Sequence, residues 1–314
     1  MKKILVTGGA GTVGYQVVRF LLSEGKYEIT VLELRNRRAY SKLKKFKKRI
    51  NIVYGDVNDD ALIDALIKEN EIVIHLAGIL PPLANVNGEL CKVVDLGGTT
   101  NIVNSIKNYN PSCHLLYASS TSIYGEQKDQ LNIKVNNKPN FDEFDNYSKY
   151  KLECEKYIKD NIKNYTIFRL SYVLGDPGKD NIIYNVKLNQ EEEMLSSVDA
   201  GYAFVSSVDH LDKLNKKTFD VSGGAKFRTT FADYINHIFK TYGLSSEYLE
   251  MFFVAEKNYY GGYYSDSDKL NDILNYRSKN LDVYYDSLNK YKYNIFRFIP
   301  RLLSIPFRKK SKKK

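Results

Sequence analysis

A chain of 314 residues is about twice the ~150-residue size typical of a domain, so a large domain or a core with a smaller lobe is expected and a peptide-sized scaffold is excluded. Hydrophobic residues at 43% and charged residues at 27% suit a globular core, and a mean hydropathy of −0.42 excludes a membrane-embedded protein. The formal charge of +10 lies at one end: residues 1–286 carry 37 basic and 37 acidic side chains, while ten basic residues and no acid lie between Ser287 and Lys314, so no nucleic-acid partner is expected of the body.

In chain order, the runs Lys3–Thr7, Glu28–Glu33, Ile50–Tyr54, Ile72–Leu76, His114–Ala118 and Thr166–Leu170 are rich in β-branched residues. Helix-length segments such as Val13–Glu24, Ala61–Glu69 and Asn101–Tyr109 separate them. Near-continuous apolar strands joined by helices predict an α/β, doubly wound parallel sheet (Rossmann-like) over residues 1–175. A small C-terminal lobe for substrate is expected over 176–286, with some return to the core. In it Tyr202–Val208 and Thr218–Val221 read as strands, Thr230–Tyr242 as a helix and Glu191-Glu192-Glu193 as solvated surface.

Residues 287–314 form a basic amphipathic tail. Apolar Ile295, Phe296, Phe298, Ile299, Leu302, Leu303, Ile305 and Phe307 precede RKKSKKK. No run there is long enough to span a bilayer, but peripheral contact with an anionic membrane is open to it. The apolar stretch of MKKILVTGGAG is too short for a signal-peptide core. Cys91, Cys113 and Cys154 have neither disulfide-framework nor zinc spacing. Both observations lead us to expect a cytoplasmic protein, membrane-peripheral if the tail engages. His75, His114, His210 and His237 are scattered, so no metal site is expected.

The loop TGGAGTVG follows the first strand and opens the first helix. Gly8 permits a tight turn, Gly11 lets the backbone approach a pyrophosphate, and Gly14 lets helix and strand pack closely. The helix start at Thr12 and Val13 offers N–H groups and a positive dipole end to phosphate. Dinucleotide binding is the expected use. Glu33 ends the second strand, where a carboxylate accepts hydrogen bonds from ribose hydroxyls and repels a 2′-phosphate, which favours NAD. Arg35, Arg37 and Arg38 keep NADP open.

Tyr147 and Lys151 are four apart in the helix-forming stretch Asp145–Ile158 and share a face. An ammonium beside a phenol favours phenolate, which would lower the tyrosine pKa toward neutrality and give a general base. Ser119 and Ser120 come immediately after a buried-looking strand, at the sheet's carboxyl edge, where a hydroxyl can bind the oxygen that Tyr147 deprotonates.

These residues resemble the extended short-chain dehydrogenase/reductases, the NAD-dependent epimerase/dehydratase group acting mostly on nucleotide sugars. The resemblance runs from Lys2 to Leu211 through TGGAGTVG, Glu33, GDV at Gly55–Val57, HLAG at His75–Gly78, Asp95–Asn101, SSTSIYG at Ser119–Gly125, Tyr147-x-x-x-Lys151, Arg169–Gly175 and SVDH at Ser207–His210. It implies that Asp56 and Val57 meet the adenine, that Leu76, Ala77 and Gly78 line the cofactor, and that Ser120, Tyr147 and Lys151 are catalytic. It also implies a homodimer through the helix of Gly97-Gly98 and that of Tyr147.

The departures narrow the chemistry. Related 4,6-dehydratases carry Asp-Glu where this chain has Thr121 and Ser122, so dehydration is disfavoured. Asp95 and Tyr172 stand where Asn is usual, and the link after Gly175 is short. The expected function is NAD(P)-dependent sugar epimerisation or oxidoreduction, with a nucleotide sugar as substrate. The alternatives are a reductase or dehydrogenase of a smaller carbonyl compound, and a non-catalytic dinucleotide-binding protein at a membrane surface.

Overall fold

Alternation of side chains along the first strand sets the layering. In a computed structural model describing residues 1–126, 132–175, 187–245 and 261–291, Ile4 and Val6 face one layer and Leu5 the other. Seven parallel strands form the sheet: β1 (Lys2–Thr7), β2 (Tyr27–Glu33), β3 (Asn51–Tyr54), β4 (Ile72–His75), β5 (His114–Ser120), β6 (Tyr165–Leu170) and β7 (Lys217–Val221). Their order is β7-β6-β5-β4-β1-β2-β3. The order reverses between β1 and β4, which opens a crevice at the carboxyl ends of those strands.

Two apolar layers cover the sheet. On one side α3 (Asp60–Glu69), α4 (Gly98–Tyr109) and α5 (Asn146–Asn161) bury Ile63, Ile67, Ile102, Ile106, Cys154 and Ile158 against Leu5, Val73, Leu115 and Ile167. On the other, α1 (Thr12–Glu24) and α6 (Ser197–Ser207) pack Val17, Val18, Leu21, Ala200, Ala203 and Phe204 against Ile4, Val6, Leu116 and Phe168. Between β2 and β3, α2 (Arg37–Leu43) starts on Asn36, whose side chain accepts from Ala39 N–H.

Of Tyr202–Val208, expected as a strand, Tyr202–Ser207 lies in α6 instead and Val208 is its C-cap. Ser196 caps that helix by accepting from Asp199 N–H at 2.9 Å, and Gly201 lets its backbone approach Gln16 and Val17 of α1. The run is apolar on several sides because α6 is enclosed by α1 and the sheet, which hides the helical period. The stretch expected as Thr218–Val221 is β7, which joins the main sheet beside β6.

A separate aromatic cluster forms beyond the sheet edge. Helix α7 (Phe231–Tyr242) begins at Thr230, which accepts from Asp233 N–H, and ends on left-handed Gly243. Its Phe231, Tyr234, Ile235, Ile238, Phe239 and Tyr242 recur at helical spacing and pack with Leu174, Met194, Phe227, Tyr284 and Leu288. Helix α9 (Leu281–Leu288) completes this cluster, while α8 (Ser267–Leu274) packs Leu270 and Leu274 into the main core.

The strand Glu191–Glu193 pairs antiparallel with Arg228–Thr230. Glu192 and Glu193, expected on a solvated surface, are buried, with Glu193 bonded to Ser222 Oγ and at 2.8 Å to Arg228 Nε. Residues 176–186 of the link and 292–314 of the tail lie outside the described residues. No helix among the described residues is long and apolar enough to cross a membrane.

Candidate active site

The glycine loop folds as a close stack of backbone. Gly8 takes φ +70°, and a side chain there would meet Ala77 N at 2.8 Å. A Cβ on Gly14 would stand 2.2 Å from Gly8 O. Helix α1 starts on Gly11 with no side-chain cap, so its positive end is left for a ligand of opposite charge. This cradle suits a pyrophosphate.

Around the loop the expected cofactor residues converge. Glu33 accepts from Ala10 N–H at 2.8 Å and from Leu34 N–H at 3.1 Å, which ties the end of β2 to the loop. Leu76 and Ala77 follow β4 and donate backbone N–H to Thr7 Oγ1 at 3.2 Å each. Val57 is buried against Gly98, its carbonyl accepting from Asn101 Nδ2, while Asp56 is exposed at the end of the same loop. His75 bridges Thr7 Oγ1 and Thr99 Oγ1, and burial lowers its pKa to about 3, so it acts as a neutral strut.

Helix α5 carries Tyr147 and Lys151 on its inward face. Asp145 caps it by accepting from Ser148 N–H and Oγ, and Asn85 accepts from Tyr147 N–H. Ser120 ends β5 and caps a single 3₁₀ turn, Thr121–Tyr124, by accepting from Ser122 N–H at 3.1 Å. Ser120, Tyr147 and Lys151 are all buried, at 9%, 8% and 5% exposure, and Ser120 is among the groups that act on the Tyr147 phenol. Lys151 Nζ lies 5.6 Å from the Tyr147 ring centre and donates to Ala118 O at 3.2 Å.

The expected drop in the Tyr147 pKa is not found. Burial raises it, and Lys151 only partly offsets that rise. Asp95, whose Oδ1 lies 3.0 Å from Lys151 Nζ, adds to that rise. For Lys151, burial disfavours the ammonium, but the groups around it, Asp95 the charged one among them, outweigh this and hold the pKa well above its ordinary value. Burial also raises Tyr117, so both phenols stay protonated and Asp95 supplies the countercharge.

Two buried networks escaped the sequence reading. Glu155 receives Arg169 Nε at 2.8 Å and Nη2 at 2.7 Å, and Ser119 Oγ at 2.6 Å. Asp220 accepts from Tyr124 OH at 2.6 Å, and Tyr124 also receives Arg169 Nη1. Glu155 lies one turn beyond Lys151 on α5, the one local sign of its inward direction. A groove of about 600 Å³ runs along α3 and α4, lined by residues such as Asp60, Glu89, Val93 and Asn104. It includes no residue of the glycine loop or of the Ser120/Tyr147/Lys151 set. No cluster of His, Cys, Asp or Glu suited to a metal ion occurs among the described residues.

The sequence profile of the NAD dependent epimerase/dehydratase family matches residues 4–214. The chain belongs to this family. As a member of it, the chain is 27% identical over 195 residues to CDP-paratose 2-epimerase of Salmonella typhi, a match covering 55% of this chain and 58% of that protein. It is 33% identical over 132 residues to UDP-glucose 4-epimerase of Haemophilus influenzae, covering 40% and 38%. The matches to the first curated relatives span 33–58% of their length.

The same fold recurs in solved structures of low identity. DesIV, a dTDP-glucose 4,6-dehydratase of Streptomyces venezuelae, superposes with a TM-score of 0.78 at 16% identity, covering 95% of this chain and 99% of that one. Pal from Bacillus thuringiensis gives 0.76 at 18% identity, covering 92% and 98%.

Proposed function

We propose that this epimerase-family chain binds NAD and catalyses hydride transfer at a sugar hydroxyl, with a nucleotide sugar as the substrate class. The observation that carries this reading is the convergence of Ser120, Tyr147 and Lys151 beside the glycine cradle, at the carboxyl edge of the sheet. Gly8, Gly11 and Gly14 with the α1 start at Thr12 and Val13 hold the pyrophosphate. Glu33 takes the ribose hydroxyls, Asp56 and Val57 the adenine side, and Leu76, Ala77 and Gly78 line the path toward the nicotinamide. Bound NAD supplies the hydride acceptor and donor.

The side chains handle the proton. Ser120 Oγ and the Tyr147 hydroxyl bind one substrate oxygen, and Tyr147 takes its proton when a hydroxyl is oxidised and returns it when a carbonyl is reduced. Lys151 stabilises the phenolate during the exchange and binds the nicotinamide ribose. A keto sugar that turned over in the site before its reduction would leave the centre inverted with no net redox change. Thr121 and Ser122 supply no carboxyl acid and base, which supports epimerisation or reduction over dehydration. In this reading residues 1–175 form the cofactor domain, and the aromatic cluster within residues 176–286 is the substrate lobe.

Bound cofactor in the purified protein, followed by incubation with a panel of nucleotide sugars, tests the proposal. Product without net NADH change supports an epimerase, and stoichiometric NADH oxidation by a small carbonyl compound supports the reductase reading. Tyr147→Phe is expected to lower turnover by about 10²–10⁴-fold with NAD binding retained; unchanged turnover removes the mechanism.

A homodimer through α4 and α5, and peripheral contact of residues 288–314 with an anionic membrane from a cytoplasmic location, extend the proposal. Sedimentation decides the first. Flotation on anionic vesicles with and without residues 288–314 decides the second, and equal binding by both forms sinks it.

A further inference from the structure

The Lys151 ammonium meets a full countercharge inside the protein. Asp95 sits in the π-helical turn Lys92–Gly97, where the widened turn carries its side chain toward α5. Its exposure is 1%; Oδ2 accepts from Ile79 N–H at 2.8 Å, and Oδ1 lies 3.0 Å from Lys151 Nζ. Oδ1 has no aligned hydrogen-bond donor among the described residues, so this contact is one of charge. The approach depends on Gly78, where a Cβ would stand 2.7 Å from Oδ1 and 3.4 Å from Nζ. Cys154 Sγ, in turn, reaches the Asp95 carbonyl at 3.3 Å.

We infer that Asp95 is a positioning residue: its buried ion pair fixes the Lys151 ammonium and offsets its charge, leaving Tyr147 set to donate a proton to a carbonyl oxygen. The inference deepens the proposed hydride-transfer reading and rests on it. The groups facing this centre are Tyr117 from β5, Cys91 from the turn before the π-helix, Cys154 on α5 and His75 from β4. Burial keeps the first three protonated and His75 neutral. Among the described residues, Asp95 and Lys151 are therefore the two charges that act on Tyr147 at close range. With the pair intact, the phenol keeps its proton at neutral pH and the resting site favours carbonyl reduction.

Asp95→Asn tests this, because the amide oxygen still accepts from Ile79 while the charge is gone. The chain has 26 tyrosines and no tryptophan, so the difference in tyrosinate absorbance between a protein and its Tyr147→Phe partner isolates one phenol. The Tyr147 midpoint is expected to fall by about one pH unit or more in Asp95→Asn, a tenfold change in phenolate at fixed pH. The acid limb of kcat/KM for alcohol oxidation should move down with it.

If Asp95→Asn does not fold, Gly78→Ala pushes the carboxylate off Lys151 and is expected to shift the midpoint in the same direction. An unmoved or raised midpoint in the folded variant overturns the inference. Absence of turnover in the wild type would instead overturn the hydride-transfer reading, and the titration would still decide the role of Asp95.

Discussion

Arg169 and Glu155 join β6 to the helix that carries Tyr147 and Lys151, and their separation is predicted to be costly. Both are almost fully buried, at 6% and 1% exposure, and they meet through two parallel bonds of 2.8 and 2.7 Å. Arg169→Met leaves the Glu155 carboxylate with Ser119 and the partly exposed Lys159. Glu155→Gln leaves the guanidinium with Tyr124 OH and Val135 O.

Each single change strands a buried charge, at a cost of about 3–5 kcal/mol. The double variant strands none and is expected to lose markedly less than the sum. Burial disfavours the Glu155 carboxylate, but bonding to Arg169 outweighs this and lowers its folded pKa. The pair's contribution is then present above the unfolded value near 4.5 and disappears as pH falls through the lower folded value. Urea unfolding of the wild type, both single variants and the double variant at pH 7 and pH 4 gives the cycle. Losses below about 1 kcal/mol, as for exposed pairs, or strict additivity would refute the buried-pair argument.

Two further outcomes follow from the same geometry. Gly14→Ala places a Cβ 2.2 Å from Gly8 O, a backbone atom that cannot turn aside, so NAD affinity by calorimetry should fall at least about tenfold with a lowered melting temperature; unchanged binding would remove the loop as the pyrophosphate cradle. Burial pushes the Glu192 carboxyl up to about 8 in the folded chain from an ordinary 4.5, so its contribution to stability declines as pH rises through that window. Glu192→Gln should therefore gain stability relative to the wild type between pH 5 and pH 8 in urea titrations, and a pH-independent difference would contradict it.

The first half of the fold was legible because its signals are local. Glycines at a strand-to-helix turn, β-branched runs and the four-residue spacing of Tyr147 and Lys151 each depend on neighbours in sequence. The misread elements depend on distant partners. Tyr202–Val208 is rich in residues that favour strands, and its helical state follows from burial between α1 and the sheet; the Ser196 cap with Asp199 three residues on was the overlooked sign. Glu193 looked solvated because its partners Ser222 and Arg228 lie about thirty residues away. The Tyr147 environment differs from that expectation first because the phenol is buried and then because Asp95, 56 positions before Lys151, opposes a charge that the helix spacing alone leaves unopposed.

The placement of β7 and α6 has a consequence for how the molecule comes into being. A nascent chain that has reached residue 175 lacks the seventh strand and the helix that leans on α1 through Gly201. The glycine turn is then presented on a half-covered helix. The surroundings of the glycine turn are thus completed only by residues up to Val221, and the front of the chain depends on its later part for its cover.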